Sequence, residues 1–160
     1  MMPTTGSGRF AFFCGIIALA LTIVLPAAAA DTTTAKAQKA AAADSESRDP
    51  NYWFQKGALC ATYGNNPAAI RYFGKAIALD PGHSGAHFSQ GVAYGQMGNY
   101  TRAVADINRA IEMEPRNGLY YYGRGRTYLL AGEKDRAMQD FRKAASLGDE
   151  DAQAYLNGLK

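Results

Sequence analysis

Two histidines, His83 and His87, stand four residues apart, a spacing that can set two imidazoles on one helix face as zinc ligands. Gly82, Ser84 and Gly85 instead place His83 in a turn, where solvent exposure is expected. His87 occupies a position that Trp53 and Tyr121 fill elsewhere in the chain, which assigns it to packing. Ser84, Ser89 and Ser146 lack the surroundings of a nucleophile elbow, and no glycine-rich loop ends in the Lys-Ser or Lys-Thr that cradles phosphate. No catalytic residues, metal ligands or cofactor are therefore expected, and the chain does not read as an enzyme.

Charge excludes another class. The 160 residues carry 17 Lys and Arg against 14 Asp and Glu, interspersed along the chain. Nucleic-acid binding needs a concentrated basic face with stacking aromatics beside it, and Arg124 with Arg126 is the nearest approach to one. Of the two cysteines, Cys14 lies in the N-terminal apolar run. Cys60 shares its position in a recurring pattern with Tyr94 and Tyr128, so it is expected inside a helix pair as a small hydrophobe.

That recurring pattern organises the rest. Gly57, Gly91 and Gly125 stand 34 residues apart, and the same offset links Trp53, His87 and Tyr121, then Phe54, Phe88 and Tyr122. It also links Ala69, Ala103 and Ala137, then Phe73, Ile107 and Phe141, then Ala76, Ala110 and Ala144. Pro81 and Pro115 close two units, with Asp149 at the third place. Within each unit, large residues recur at three and four positions, the period of a helix with one buried face. Gly64, Gly98 and Gly132 predict the ends of the first helices, and Asn65 and Asn99 can cap the second by accepting free backbone N–H bonds. Glycine in a helix interior costs about 0.5–1 kcal/mol relative to alanine. Its recurrence predicts close helix approach, with Phe73, Ile107 and Phe141 filling the space beside it.

A helix-turn-helix unit of this length with a large-Gly-Tyr-Ala-aromatic-Ala-Pro pattern resembles the tetratricopeptide repeat, from about Pro50 to Asp151. The resemblance implies an all-α fold, a right-handed α-solenoid of three helix-turn-helix repeats at 50–83, 84–117 and 118–151. A C-terminal capping helix over 150–160 completes it. Ala152, Tyr155, Leu156 and Leu159 would cover the last repeat, and Gln153, Asn157 and Lys160 would meet water. No matching cap precedes Pro50, so Tyr52 and Trp53 are expected to be partly exposed, offering a surface for a homo-oligomer.

In tetratricopeptide proteins the first helix of each pair lines a concave surface that holds peptide segments of partner proteins. Carried onto this chain, the peptide-binding positions are Phe54 and Gln55, then Phe88, Ser89, Val92 and Gln96, then Leu119, Tyr122 and Arg126. Phe54, Phe88 and Tyr122 form an aromatic ladder, with small Ala58, Gly85 and Gly123 leaving room between the rungs; each ring can alternatively pack between repeats. Members that clamp the acidic tails of cytosolic chaperones carry Lys, Asn and Arg where this chain has Phe54, Ala58, Ser89, Leu119 and Gly123. The expected partner is another protein or peptide, with no nucleic acid and no acidic-tail clamp.

Residues 1–30 hold one charge, Arg9, an apolar run from Phe10 to Leu25, and small Ala28-Ala29-Ala30. These are the parts of a secretory signal peptide cleaved after Ala30, leaving no membrane attachment. The run is shorter than the roughly 20 residues that span a bilayer, though an uncleaved inner-membrane anchor is the alternative. Residues 31–49, rich in Ala, Thr and Lys, read as a flexible linker. An exported, periplasmic adaptor or scaffold in cell-envelope assembly or maturation is the function expected, with oligomerisation through the N-terminal repeat as the alternative.

Overall fold

The computed structural model describes residues 47–159. The expected signal peptide, most of the linker and Lys160 lie outside the described residues. Among the described residues seven helices follow in order: α1 (Pro50–Thr62), α2 (Asn66–Leu79), α3 (Ser84–Gln96), α4 (Tyr100–Met113), α5 (Gly118–Leu130), α6 (Lys134–Ser146) and α7 (Glu150–Asn157). α1, α3 and α5 each pack on the helix that follows, each pair packs on the next, and α7 packs on α6, so the helices stack as consecutive hairpins.

The helix ends follow the local chemistry. The side chains of Asn65 and Asn99 accept from the N–H groups of Ala68 and Arg102 and cap α2 and α4. Glu133, at the same place before α6, makes no cap bond and pairs with Arg136 at 2.7 Å. Asp49 and Asp149 cap α1 and α7. Gly64, Gly98 and Gly132 adopt φ of 73°, 78° and 82°, the left-handed turn that ends a helix without a Cβ penalty.

The helix-interior glycines act by closeness. A Cβ on Gly57 would stand 2.6 Å from the Phe73 ring, one on Gly91 2.8 Å from the Ala103 carbonyl oxygen, and one on Gly125 2.8 Å from the Phe141 ring. Phe73, Ile107 and Phe141 are the largest fully enclosed side chains, flanked by solvent-free Ala69, Ala76, Ala103, Ala110, Ala137 and Ala144. Small residues on both helices therefore let one large side chain fill each hairpin.

A second repeated device was not anticipated. Trp53 Nε1 donates to the Ser47 carbonyl at 2.9 Å, and Tyr121 Oη donates to that of Pro115 at 3.1 Å. Between them, His87 Nε2 lies 3.2 Å from the Pro81 carbonyl. All three bonds reach back six residues, from one register of the repeat. A ring that packs on the pair thus also satisfies the turn leading into it.

Four expectations need correction. Trp53 is 3% exposed, because Tyr52 packs edge-on against it, Tyr72 stacks on it at 5.8 Å, and Lys75 Nζ lies 3.8 Å from its ring centroid. His83 is half-buried: its Nδ1 accepts from Ala86 N–H at 3.2 Å to cap α3, and its ring packs on Phe54 at 4.9 Å. Cys60 is half-buried instead of enclosed. In the cap, Ala152 is buried and Tyr155 packs on Phe141 at 4.5 Å, but Leu159 follows the end of α7 and is 58% exposed.

Candidate functional site

The first helices of adjacent hairpins, α3 and α5, enclose an apolar pocket of about 290 Å³. Phe88, Val92, Gly95 and Gln96 form one wall, and Leu119, Tyr122, Gly123, Arg126, Thr127 and Leu130 the other. Asp151, from the first turn of α7, completes the rim. A second pocket of about 220 Å³ adjoins it toward α1, lined by Ala58, Ala61, Phe73, Phe88, Ser89, Val92, Ala93 and Gln96. Phe88, Val92 and Gln96 belong to both, one turn apart on α3, so a single helical ridge divides one groove into two compartments.

The expected residues divide accordingly. Phe88, Val92, Gln96, Leu119, Tyr122 and Arg126 meet in the larger compartment, and Ser89 lines the smaller. Phe54 lines neither, because its ring is taken up by Phe73 at 5.8 Å and His83 at 4.9 Å. Gln55 is exposed and also lines neither compartment. Phe88 does two things at once: it walls the groove and stacks on buried Tyr120 of the next hairpin at 4.8 Å. Tyr122 leans on Phe141 at 5.6 Å and carries the Arg126 guanidinium 5.9 Å from its ring centroid.

Gly95, Thr127 and Asp151 were not anticipated. Thr127 is 4% exposed and bonds the Gly123 carbonyl, so it reads as core; Asp151 reads as an ordinary acid in a first helical turn. Only the fold brings either to the groove. Gly123 has a visible reason, since a Cβ there would lie 2.5 Å from the Phe88 ring.

Polar networks tie successive hairpins together. Tyr120 Oη donates to Ser84 Oγ at 3.2 Å, Ser84 donates to Glu114, and Asn117 donates to Glu114 at 3.0 Å. The bonds from Ser84 and Asn117 hold the Glu114 carboxyl below its ordinary range, whereas burial pushes the Tyr120 phenol up. Arg124 turns away from the groove into the joint of α4, α5 and α6, while Arg126 turns toward it. The two arginines that come nearest to a basic face in the sequence therefore serve different surfaces.

Stacked helical hairpins with a groove along their first helices define a repeat-built interaction scaffold. The sequence agrees: tetratricopeptide-repeat profiles match residues 50–83 and 88–155. The chain belongs to the tetratricopeptide repeat family. No match was found among curated proteins. Similar solved structures include MamA, 23% identical over 69% of this chain and 61% of that one, with a TM-score of 0.62. YrrB, described as a tetratricopeptide protein with an unusual peptide-binding site, is 18% identical over 69% of this chain and 57% of that one, with a TM-score of 0.64. The first tetratricopeptide domain of Spaghetti (RPAP3), bound to the HSP90 peptide SRMEEVD, is 20% identical over 71% of this chain and 91% of that one, with a TM-score of 0.64. This chain spans about three fifths of the length of the MamA and YrrB chains. At these identities the likeness is one of fold.

Proposed function

We propose that this chain is a non-catalytic interaction module that holds a peptide segment of another cell-envelope protein in the groove between α3 and α5. The observation that carries the reading is wet apolar surface gathered at one pocket. Leu119 is 47% and Leu130 61% exposed, on the same pocket as Phe88, Val92 and Tyr122. Large apolar side chains grouped at a concave site mark a surface that a partner covers. Peptides bound by the Spaghetti domain and the peptide site named for YrrB support the same use of the fold. The acidic-tail clamp is not part of the proposal, since Phe54, Ala58, Ser89, Leu119 and Gly123 stand where its cations and amides belong.

Affinity capture from the native envelope fraction tests this, with Leu119→Gln/Leu130→Gln as the control. Both leucines are exposed, so the control keeps its fold while losing the apolar rim. Partner proteins retained by the native chain and lost by the control are the expected outcome, and identical capture profiles would overturn the reading. The envelope location rests on residues 1–30. Amino-terminal sequencing from the native host is expected to begin at Asp31, and a chain still beginning at Met1 or Met2 would replace cleavage with the uncleaved inner-membrane anchor.

A further inference from the structure

We infer that the larger groove compartment selects a segment whose apolar anchor side chain is flanked by one acidic and one basic residue, read by Arg126 and Asp151. The inference rests on the groove being a peptide site, and it makes α7 part of that site.

Arg126 comes from α5 and Asp151 from α7, yet both line one pocket whose other walls are mainly apolar. Both side chains are exposed. Among the described residues, Arg109 pairs with Glu112, Arg124 with Asp140 and Arg136 with Glu133, but no ion pair or hydrogen bond engages the side chain of Arg126 or Asp151. Arg126 keeps only its place over the Tyr122 ring. Two opposite charges have thus been left open at the rim of an apolar cavity and have not neutralised each other.

That arrangement discriminates. A volume of about 290 Å³ has room for a leucine or phenylalanine side chain, and Leu119 and Leu130 extend the apolar contact on either side of it. A uniformly acidic segment gains from Arg126 but meets Asp151, and a uniformly basic one meets the reverse. Only a segment of mixed sign satisfies both, and like charges brought together disfavour wrong partners more than matched pairs favour right ones.

An immobilised library of short synthetic peptides tests this on the full chain. Each peptide has one central leucine or phenylalanine, and Lys, Glu or Gln at each flanking position. The unaltered chain is expected to prefer Lys at one side and Glu at the other by about two- to fivefold each, the scale of an exposed ion pair. Asp151→Lys should invert the first preference alone, Asp151→Asn should erase it, and Arg126→Glu should invert the second. Retention of anchored peptides without charge preference, or preferences that these exchanges leave untouched, overturns the inference and leaves the groove reading standing. Retention of no anchored peptide by the unaltered chain overturns both.

Discussion

Arg124 on α5 holds Asp140 on α6 through two parallel bonds, Nε to Oδ2 at 2.8 Å and Nη2 to Oδ1 at 2.7 Å. Its Nη1 reaches Asn108 on α4 at 2.6 Å, so one guanidinium joins three helices of two repeats. Asp140 is 6% exposed. The bonds to Asp140 raise the pKa of Arg124 against the opposing effect of burial. The tyrosine rings of Tyr121 and Tyr128, 5.5 and 6.0 Å from the guanidinium carbon, complete its surroundings.

Removing that cation leaves a buried carboxylate alone. Arg124→Met is expected to destabilise the protein by about 3 kcal/mol, which for a domain of this size lowers the thermal midpoint by about 10 °C or more. Arg124→Lys should recover less than half of the loss, because an ammonium cannot supply the planar fork that Asp140 accepts. Thermal unfolding followed by circular dichroism reads both variants. A wild-type midpoint in Arg124→Met would show that the joint does not depend on this pair.

The helical glycines separate by what stands opposite them. At Gly91 a Cβ would meet the Ala103 carbonyl oxygen at 2.8 Å, and backbone cannot turn aside. At Gly95 the nearest atoms are 3.6 Å away, an ordinary contact. Gly91→Ala should therefore cost about 1–3 kcal/mol through overpacking. Gly95→Ala should be neutral or stabilise by up to about 1 kcal/mol through helix propensity. Equal midpoints for the two variants would reject close approach as the reason for the Gly91 register.

The hairpin glycines, the alanine columns and the three enclosed side chains were all legible because they recur: a role repeated at Gly57, Gly91 and Gly125 is visible in one sequence. Roles that occur once were not. Arg124 and Arg126 look alike two residues apart, but a difference of about 200° around the helix sends one into a joint and the other into the groove. The fate of Phe54 was hidden for a different reason. It shares the register of Phe88 and Tyr122, yet the His83 ring is free to pack on it because His83 caps α3 instead of facing solvent. Asp151 entered the site from a helix that the repeat pattern assigned to capping, and nothing local in its sequence distinguishes it from Glu150.

Two carboxyls should give opposite responses to pH. Bonds from Ser84 and Asn117 depress the folded-state pKa of Glu114, so its contribution is present above the ordinary carboxylate range and is lost as pH falls through the folded value. Glu114→Gln is then less stable than wild type at neutral pH, by about 0.5 kcal/mol because the site is largely exposed, and the difference closes in acid. Burial raises the pKa of Asp106, with His87 and Arg102 partly offsetting it. Folding therefore loses stability as pH rises through that range, and Asp106→Asn should be the more stable form at neutral pH, with no advantage below about pH 3. Urea unfolding at several pH values measures both. Parallel profiles for wild type and either variant would contradict the corresponding assignment.

Groove residues should divide into those that also hold the stack and those that do not. Phe88 walls both compartments, stacks on Tyr120 and lies against Gly123, so Phe88→Ala removes packing between α3 and α5 along with any ligand contact. About 2 kcal/mol of destabilisation is expected, below the loss for a fully enclosed phenylalanine because the ring is only half-buried. Leu130→Gln alters a side chain that is 61% exposed and should move stability by no more than about 0.5 kcal/mol. A loss of peptide binding in Phe88→Ala therefore has two causes, whereas the same loss in Leu130→Gln has one. Calorimetric midpoints measured beside peptide binding separate them: a shifted midpoint in Leu130→Gln, or an unshifted one in Phe88→Ala, would reverse the assignment of which side chain belongs to the groove alone.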